Sequence, residues 1–536
     1  MLATRAERGT VAALSAPGGL IGKDTLAYVD GGTLYCNAAA TGVTGLAPGE
    51  KQLIGMGAYI LIFPDKVYFN TADHTDFGSM EADITLTGAV SYCLCDLDGA
   101  PLPDPDSSAV QPENPENAAL WLDADAGTLY QYSSALSLWT ALDTVYTRMS
   151  FPTQGEMPRL FSRYDGVEIS GAYFGALNGD KALYAVGGEA GVESDYIVLA
   201  GLIGASYTQT GASVRLRRRL PPLDFVCQSQ NRLWGCFYGV YEGRTVNEIC
   251  CSALGDFKNW RQYLGLATDS WAASVGSDGE WTGAVNYLGA PCFFKEDGVH
   301  RVTVSAAGAH RVTETVCRGV QKGSGKSLRV VGESLYYKAR GEVCVWQGGF
   351  PQSVSQKLGD RLYYDAAAGT LGGRYYISMR DAAGSWSLFT LDTERGIWYR
   401  EDALHALYFA EAGGELYCVD ADGALLTLGG SAGEREGAFA WSAETGEERY
   451  STVDRKYLSR FNISLRMAAG ATLRAALRYD SSGVWEAAGE IAIAVDGTVL
   501  LPVRPRRCDH VQLRLSGTGE VKIFSIARIL EQGSDM

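Results

Sequence analysis

One unit dominates this sequence: a short Asp/Gly turn followed at once by a strand that opens with Leu-Tyr or a close equivalent. It reads VDGGTLYC at Val29–Cys36, LDADAGTLYQY at Leu122–Tyr132, VGESLYYK at Val331–Lys338 and AGGELYCV at Ala412–Val419. A second version places Trp after the turn, as DAAGSW at Asp381–Trp386, DTERGIW at Asp392–Trp398 and DSSGVW at Asp480–Trp485. Asp and Gly supply the turn geometry, and Leu, Tyr and Trp then alternate between core and surface along a pleated strand. The composition follows from this unit, with 65 Gly, 29 Tyr and 11 Trp in 536 residues. No segment carries a 3.6-residue apolar repeat over the roughly 12 residues that an amphipathic helix needs. The chain is therefore expected to be all-β, built of many short strands.

The spacing of the unit sets the architecture. Between Leu220 and Gly430 strand pairs recur about every 40 residues, the length of a four-stranded propeller blade. That stretch holds about five blades, and residues 20–88 add about two more. The latter include LIGMGAYILIFPDKVYFN at Leu53–Asn70, two apolar strands flanking a Pro64-Asp65 turn. A β-propeller of about seven blades is predicted, since small sheets stacked in a ring bury both faces and leave only short edges. Residues 1–88 form its first part and 223–430 the remainder. Residues 89–222 are expected to be an insertion, a proline-rich loop at Asp96–Asn117 followed by a small β-barrel or sandwich. Residues 431–536 change register again and read as a C-terminal antiparallel β-sandwich.

Charge and cysteine usage narrow the function. A net charge of −16 and a pI near 4.9 disfavour a broad nucleic-acid face. The one basic cluster, Arg215, Arg217, Arg218 and Arg219, ends a strand-like run and reads as a solvated strand edge or, failing that, an ion-paired subunit contact. The twelve cysteines lack metal-ligand spacing and read as buried thiols in a reducing compartment, with disulfides as the alternative. The N-terminal residues lack the apolar stretch of a signal peptide, and no run of ~18 apolar residues is present, so no membrane insertion is expected.

Motifs that tempt a chemical reading each fail on spacing. GSGKS at Gly323–Ser327 has Val320 where a phosphate loop needs glycine, and a strand-like SLRVV follows where a helix is required. The turn-Trp hairpins are similar to the Asp-box turns of sialidase propellers, but Gly384 follows Asp381, and Gly483 follows Asp480, by three positions where the Asp-box has two. The DLDG at Asp96–Gly99 and the DADG at Asp420–Gly423 start like calcium loops without continuing as such. His74, His300, His310, His405 and His510 show no metal spacing. The chain is accordingly expected to hold no catalytic residue, cofactor or metal, and not to be an enzyme.

The most specific stretch is DFVCQSQNRLWGCFYG at Asp224–Gly239 with NEICCSALGDFKNW at Asn247–Trp260. It reads as a strand, an Asn-Arg turn, a strand ending at Trp234, a hairpin, and a strand closed by Ser252, Leu254, Gly255, Asp256 and Trp260. This pattern of Asn231, Arg232, Trp234, Ser252, Leu254, Gly255, Asp256 and Trp260 resembles a blade of bacteriophage tail nozzle, tail hub and DNA-stabilisation proteins. The stretches Glu50–Asn70, Leu391–Asp402 and Arg504–Gly519 are similar to virion proteins of phages of Gram-positive, clostridial-type bacteria. In such relatives further residues precede the LATRAERG segment, which implies a shortened start here. The resemblance implies a structural virion protein assembled in the bacterial cytoplasm. It would form a homo-oligomeric ring, contact other tail or connector proteins and let genomic DNA pass along an acidic lumen.

Three functions follow for a propeller of this kind. A tail or connector ring predicts a defined oligomer. A receptor- or glycan-binding propeller predicts exposed Trp or Tyr that stack on sugar rings. A propeller glycosidase predicts two carboxylates ~5–10 Å apart on one face.

Overall fold

A computed structural model describes residues 2–191, 193–305, 308–449, 456–503 and 506–531. Arg504 and Pro505 of the Arg504–Gly519 stretch lie outside the described residues. The fold is the all-β propeller that the turn-strand unit predicts. Its first sheet holds strands Pro17–Gly22, Leu26–Asp30, Thr33–Cys36 and Ala39–Ala40 in sequence order. The second runs from Gln52–Met56 to Phe77–Ser79, the third from Phe225–Ser229 to Trp271–Ser274, and the fourth from Gly283–Tyr287 to His310–Val316. The fifth runs from Arg329–Val331 to Gln352–Ser353, and the sixth from Tyr363–Leu371 to Ile397–Asp402. Each is a four-stranded antiparallel meander, its consecutive strands joined by short loops except for the long Ser252–Ser270 connection in the third sheet.

The seventh sheet is built differently. It holds Ala406–Ala412, Glu415–Asp420 and Ala424–Thr427, then the N-terminal strand Gly9–Ala13, then Glu434–Arg435. The start of the chain thus supplies an outer strand for the last sheet. Apolar clusters fill the gap between each sheet and the next. Ile60 and Ile62 of the second sheet meet Ala27 and Leu34 of the first, Trp234 of the third meets Phe293 of the fourth, and Tyr28 of the first meets Val419 of the seventh. The last of these closes the circle, so every sheet of the ring is covered on both faces.

The insertion is a closed six-stranded barrel from Ala82–Cys95 to Tyr207–Arg218. Its first strand straddles the expected boundary at residues 88 and 89, because ADITLTGAVSYCLC pairs continuously past Gly88 with only a bulge there. The basic cluster is not a strand edge. Tyr207–Arg218 pairs with Ala82–Cys95 on one side and Gly166–Ser170 on the other, since barrel closure abolishes edges. Arg215 pairs with Asp83, Arg217 and Arg219 with Glu168, and the buried Arg218 with the buried Asp165.

The segment expected as a loop, Asp96–Asn117, carries one strand, Asp106–Ser108. A four-stranded sheet of Asp106–Ser108, Leu120–Asp123, Thr128–Ser133 and Leu138–Ala141 projects from the barrel, its first two strands parallel. The C-terminal region packs two antiparallel sheets around a core that includes Ile463, Leu465, Leu473 and Leu513. Its boundaries differ from 431 at both ends of the chain. Glu434–Arg435 still belongs to the seventh propeller sheet, and Leu2–Ala3 joins the sandwich by pairing with Val521–Glu531. Ten of the twelve cysteines are buried, and Cys93 and Cys317 are half-buried.

Candidate functional site

The sheet projecting from the barrel has two unlike faces. Leu120, Leu122 and Leu129 point inward and join the barrel core. Strand alternation then forces Trp121, Tyr130, Tyr132 and Trp139 onto the opposite face. The register brings them together, with Trp121 across from Tyr130 and Tyr132 across from Trp139. Trp121 stacks on Tyr130 at 5.0 Å between ring centroids and meets Trp139 at 5.9 Å, and Tyr132 meets Trp139 at 5.3 Å. Tyr130, Tyr132 and Trp139 are only half-buried, so this aromatic strip faces solvent.

Local bonds hold the strip in shape. The Asp123 carboxylate accepts from the N–H of Asp125 at 2.9 Å and of Ala126 at 3.0 Å, and Gly127 takes a left-handed φ of 64° that closes the hairpin. The Trp121 indole N–H donates to the Ser108 carbonyl at 3.0 Å, which fixes that ring against the parallel strand. A fixed row of aromatic faces, half open to water, can stack on the apolar C–H faces of sugar rings without losing much side-chain freedom.

The blade residues that the sequence singles out have structural contacts. The turn lies at Gln230 and Asn231, both left-handed, one residue earlier than an Asn-Arg turn. Arg232 therefore begins the next strand and is buried. Trp234 is fully buried against Trp271 and His310. The Ser252 hydroxyl accepts from the Leu233 N–H, the Gly255 N–H donates to the Asn231 carbonyl, and Asp256 accepts from the Lys258 N–H. Trp260 is buried and donates to the Phe257 carbonyl at 2.9 Å. Leu254, by contrast, is 47% exposed. Next to them, Asn259 donates to the Tyr164 carbonyl and accepts from the Gly166 N–H, which fastens the barrel to the third sheet.

The GSGKS segment forms a single 3₁₀ turn at Gly325–Ser327 in the loop between the fourth and fifth sheets. Lys326 reaches across the ring to Glu50, between the first and second sheets, at 3.2 Å and lies 4.7 Å from the Tyr408 ring of the seventh. Asp365 pairs with Arg380 nearby, and His405 stacks on Trp386 at 3.6 Å. Burial pushes the His405 imidazole below its usual range. Among the described residues no group of three or more His, Cys, Asp or Glu is placed to hold a metal ion, and no helix is long and apolar enough to cross a membrane.

No protein-family model and no curated protein matches the chain. Solved structures do match. An exo-β-1,3-galactanase from Phanerochaete chrysosporium with bound β-1,3-galactotriose is 5% identical, over 57% of this chain and 95% of its own, with a TM-score of 0.24. AztD from Citrobacter koseri, in its apo form, is 10% identical over 94% of this chain and 99% of its own, with a TM-score of 0.27. A glycoside hydrolase is 11% identical over 57% of this chain and 96% of its own, with a TM-score of 0.22. The expectation that the chain is not an enzyme is withdrawn on this finding, because glycoside hydrolases are among the matched structures. At these scores the matches transfer no substrate or mechanism to this chain.

Proposed function

We propose that the chain is a glycan- or receptor-binding β-propeller protein. In this reading the ring and barrel are the scaffold, and the aromatic face of the projecting sheet takes the saccharide. The observation that carries it is the strip of Trp121, Tyr130, Tyr132 and Trp139, packed ring to ring at 5.0–5.9 Å with Tyr130, Tyr132 and Trp139 half open to solvent. Binding of bacterial surface polysaccharides by the full chain, measured by calorimetry, tests it. Trp139→Ala and Tyr132→Ala are expected to weaken binding by roughly tenfold or more each, about 1.4 kcal/mol, while the circular dichroism stays that of the parent. Equal binding by parent and variants would sink the reading.

One observation favours a second reading, a ring component of a phage tail or connector with other tail proteins as partners and genomic DNA in passing contact. Around the blade residues, Leu254, Tyr263 and Leu266 are 47%, 64% and 57% exposed on neighbouring loop positions, an apolar surface suited to a subunit contact. Sedimentation at micromolar concentration is then expected to give a defined closed oligomer that dissociates in Leu254→Glu. A monomer at every concentration would count against it.

A further inference from the structure

We propose a second ligand site, separate from the aromatic strip, in a groove on the sixth sheet that takes an anionic saccharide. The groove, of about 420 Å³, lies between the loop that follows the fifth sheet and the outer strand Ile397–Asp402. That volume suits one or two sugar units. Its walls bring together Lys357, Arg361 and Arg400 with Tyr363, Trp398 and Tyr399. In a chain of net charge −16, three cations gathered on one groove are a local reversal of sign.

The one carboxylate in the groove, Asp381, is outnumbered by the three cations. It accepts from the N–H groups of Ala383 and Ser385, both at 2.9 Å, within its own turn. The cations are placed and largely unspent. Arg400 is steadied by its Nε donating to the Ser387 hydroxyl at 3.1 Å, which leaves the two terminal nitrogens for a ligand. Lys357 is held by the Gly396 carbonyl at 2.7 Å. Arg361 is exposed at the groove wall and has no carboxylate partner among the described residues. Trp398 donates its indole N–H to the Val354 carbonyl at 2.7 Å, so its ring is fixed at the groove wall.

Each feature selects for part of one ligand. Guanidinium groups pair in a planar fork with a carboxylate or phosphate oxyanion. The aromatic rings supply apolar faces for the sugar ring that carries it. The class is therefore a sugar bearing an oxyanion, either a uronic acid or a sugar phosphate.

Calorimetry on the full chain at low salt tests the site, with a glucuronic-acid disaccharide, glucose 6-phosphate, a neutral disaccharide and inorganic phosphate as probes. At least one charged sugar is expected to bind saturably, with the neutral disaccharide and free phosphate roughly tenfold weaker or worse. Whichever charged sugar binds identifies the oxyanion. Arg361→Gln with Arg400→Gln is expected to weaken binding by at least about tenfold. Arg361→Gln alone, at an exposed position, keeps the test intact if the double variant fails to fold. Failure of both charged sugars to bind, equal binding of the neutral sugar or of phosphate, or unchanged binding by the variants would overturn the proposal. Trp139→Ala is expected to leave this binding unchanged, which separates the two sites.

Discussion

Arg232 caps the third sheet as a cation paired with no carboxylate among the described residues. It is 4% exposed, and its guanidinium donates to the carbonyls of Ser252, Asp269 and Ala267, each at 2.7 Å. Three charge-assisted bonds to backbone offset the cost of burying the ion and draw three points of one long loop onto the strand. Arg232→Met fills the space but leaves three carbonyls without their donor. It is expected to destabilise the propeller by about 3 kcal/mol, read as a lower urea midpoint, whereas a surface arginine change such as Arg311→Met shifts it by less than about 0.5 kcal/mol. The sequence shows the residue pattern around Asn231 and Trp260 but not what Arg232 does. Its role depends on the loop Ala253–Ser270 folding back, and that return is set by Asp269, whose carboxylate accepts from the N–H of Leu264 and Leu266. Nothing in the local pattern around Arg232 encodes it.

At the scale of elements, the repeated turn-strand unit was readable because each copy carries its own turn chemistry and alternation. The projecting sheet was not, although Leu122–Tyr132 contains one of the clearest copies. Its first strand, Asp106–Ser108, sits inside a proline-rich polar stretch and pairs in parallel, so no hairpin signal marks it. The aromatic strip exists only once the register of two hairpins is known, since one residue of slip would send Trp139 to the other face. The seventh sheet carries a similar long-range device in Glu415. This buried carboxylate accepts from the N–H of Leu416 at 2.9 Å, Gly429 at 2.7 Å and Ser431 at 3.1 Å, and so ties the loop after Ala424–Thr427 back to the sheet. Burial alone would raise its pKa, but the bonds from Ser431, Gly429 and Leu416 outweigh it and hold the carboxyl below the usual range. A folded value below the unfolded one means that folding favours the ionised form. The resulting stability is complete above the ordinary glutamate range, near ~4.3, and is lost as pH falls through the depressed folded value. Glu415→Gln is therefore expected to be less stable than the parent by about 1–2 kcal/mol at pH 7, with the gap closing in acid. Urea melts of both proteins across pH 3–7 check this, and a gap independent of pH would contradict it.

Over the whole molecule, the first dozen residues tie together parts that lie more than four hundred positions away. Leu2 pairs with Ile523 in the C-terminal sandwich, and Gly9 pairs with Thr427 and Arg435 in the seventh sheet. Between them, Arg5 meets Glu436 and Asp402, and the buried Arg8 meets Glu401 and Asp402. The ring is closed by this strand as well as by the apolar contact of the first and seventh sheets, so the segment bears on both the propeller and the sandwich. Gly9 shows how tight the closure is. A Cβ built there would lie 1.9 Å from the Ala432 carbonyl oxygen and 2.6 Å from the Thr427 hydroxyl, so no side chain fits without displacing the backbone. A chain lacking residues 1–13 loses a row of strand bonds worth about 1 kcal/mol each and two ion-paired arginines, a loss on the order of 5 kcal/mol. It also leaves Ala424–Thr427 unpaired on one side, an exposed strand edge. The expected result is a lower melting temperature, faster hydrogen exchange confined at first to the seventh sheet, and concentration-dependent aggregation. Gly9→Val in the full chain is expected to reproduce the exchange pattern with a smaller fall in melting temperature, because the rest of the strand still pairs. If the truncated chain melts like the parent and its seventh sheet stays protected, the apolar contact between the first and seventh sheets closes the ring by itself, and the N-terminal strand is dispensable.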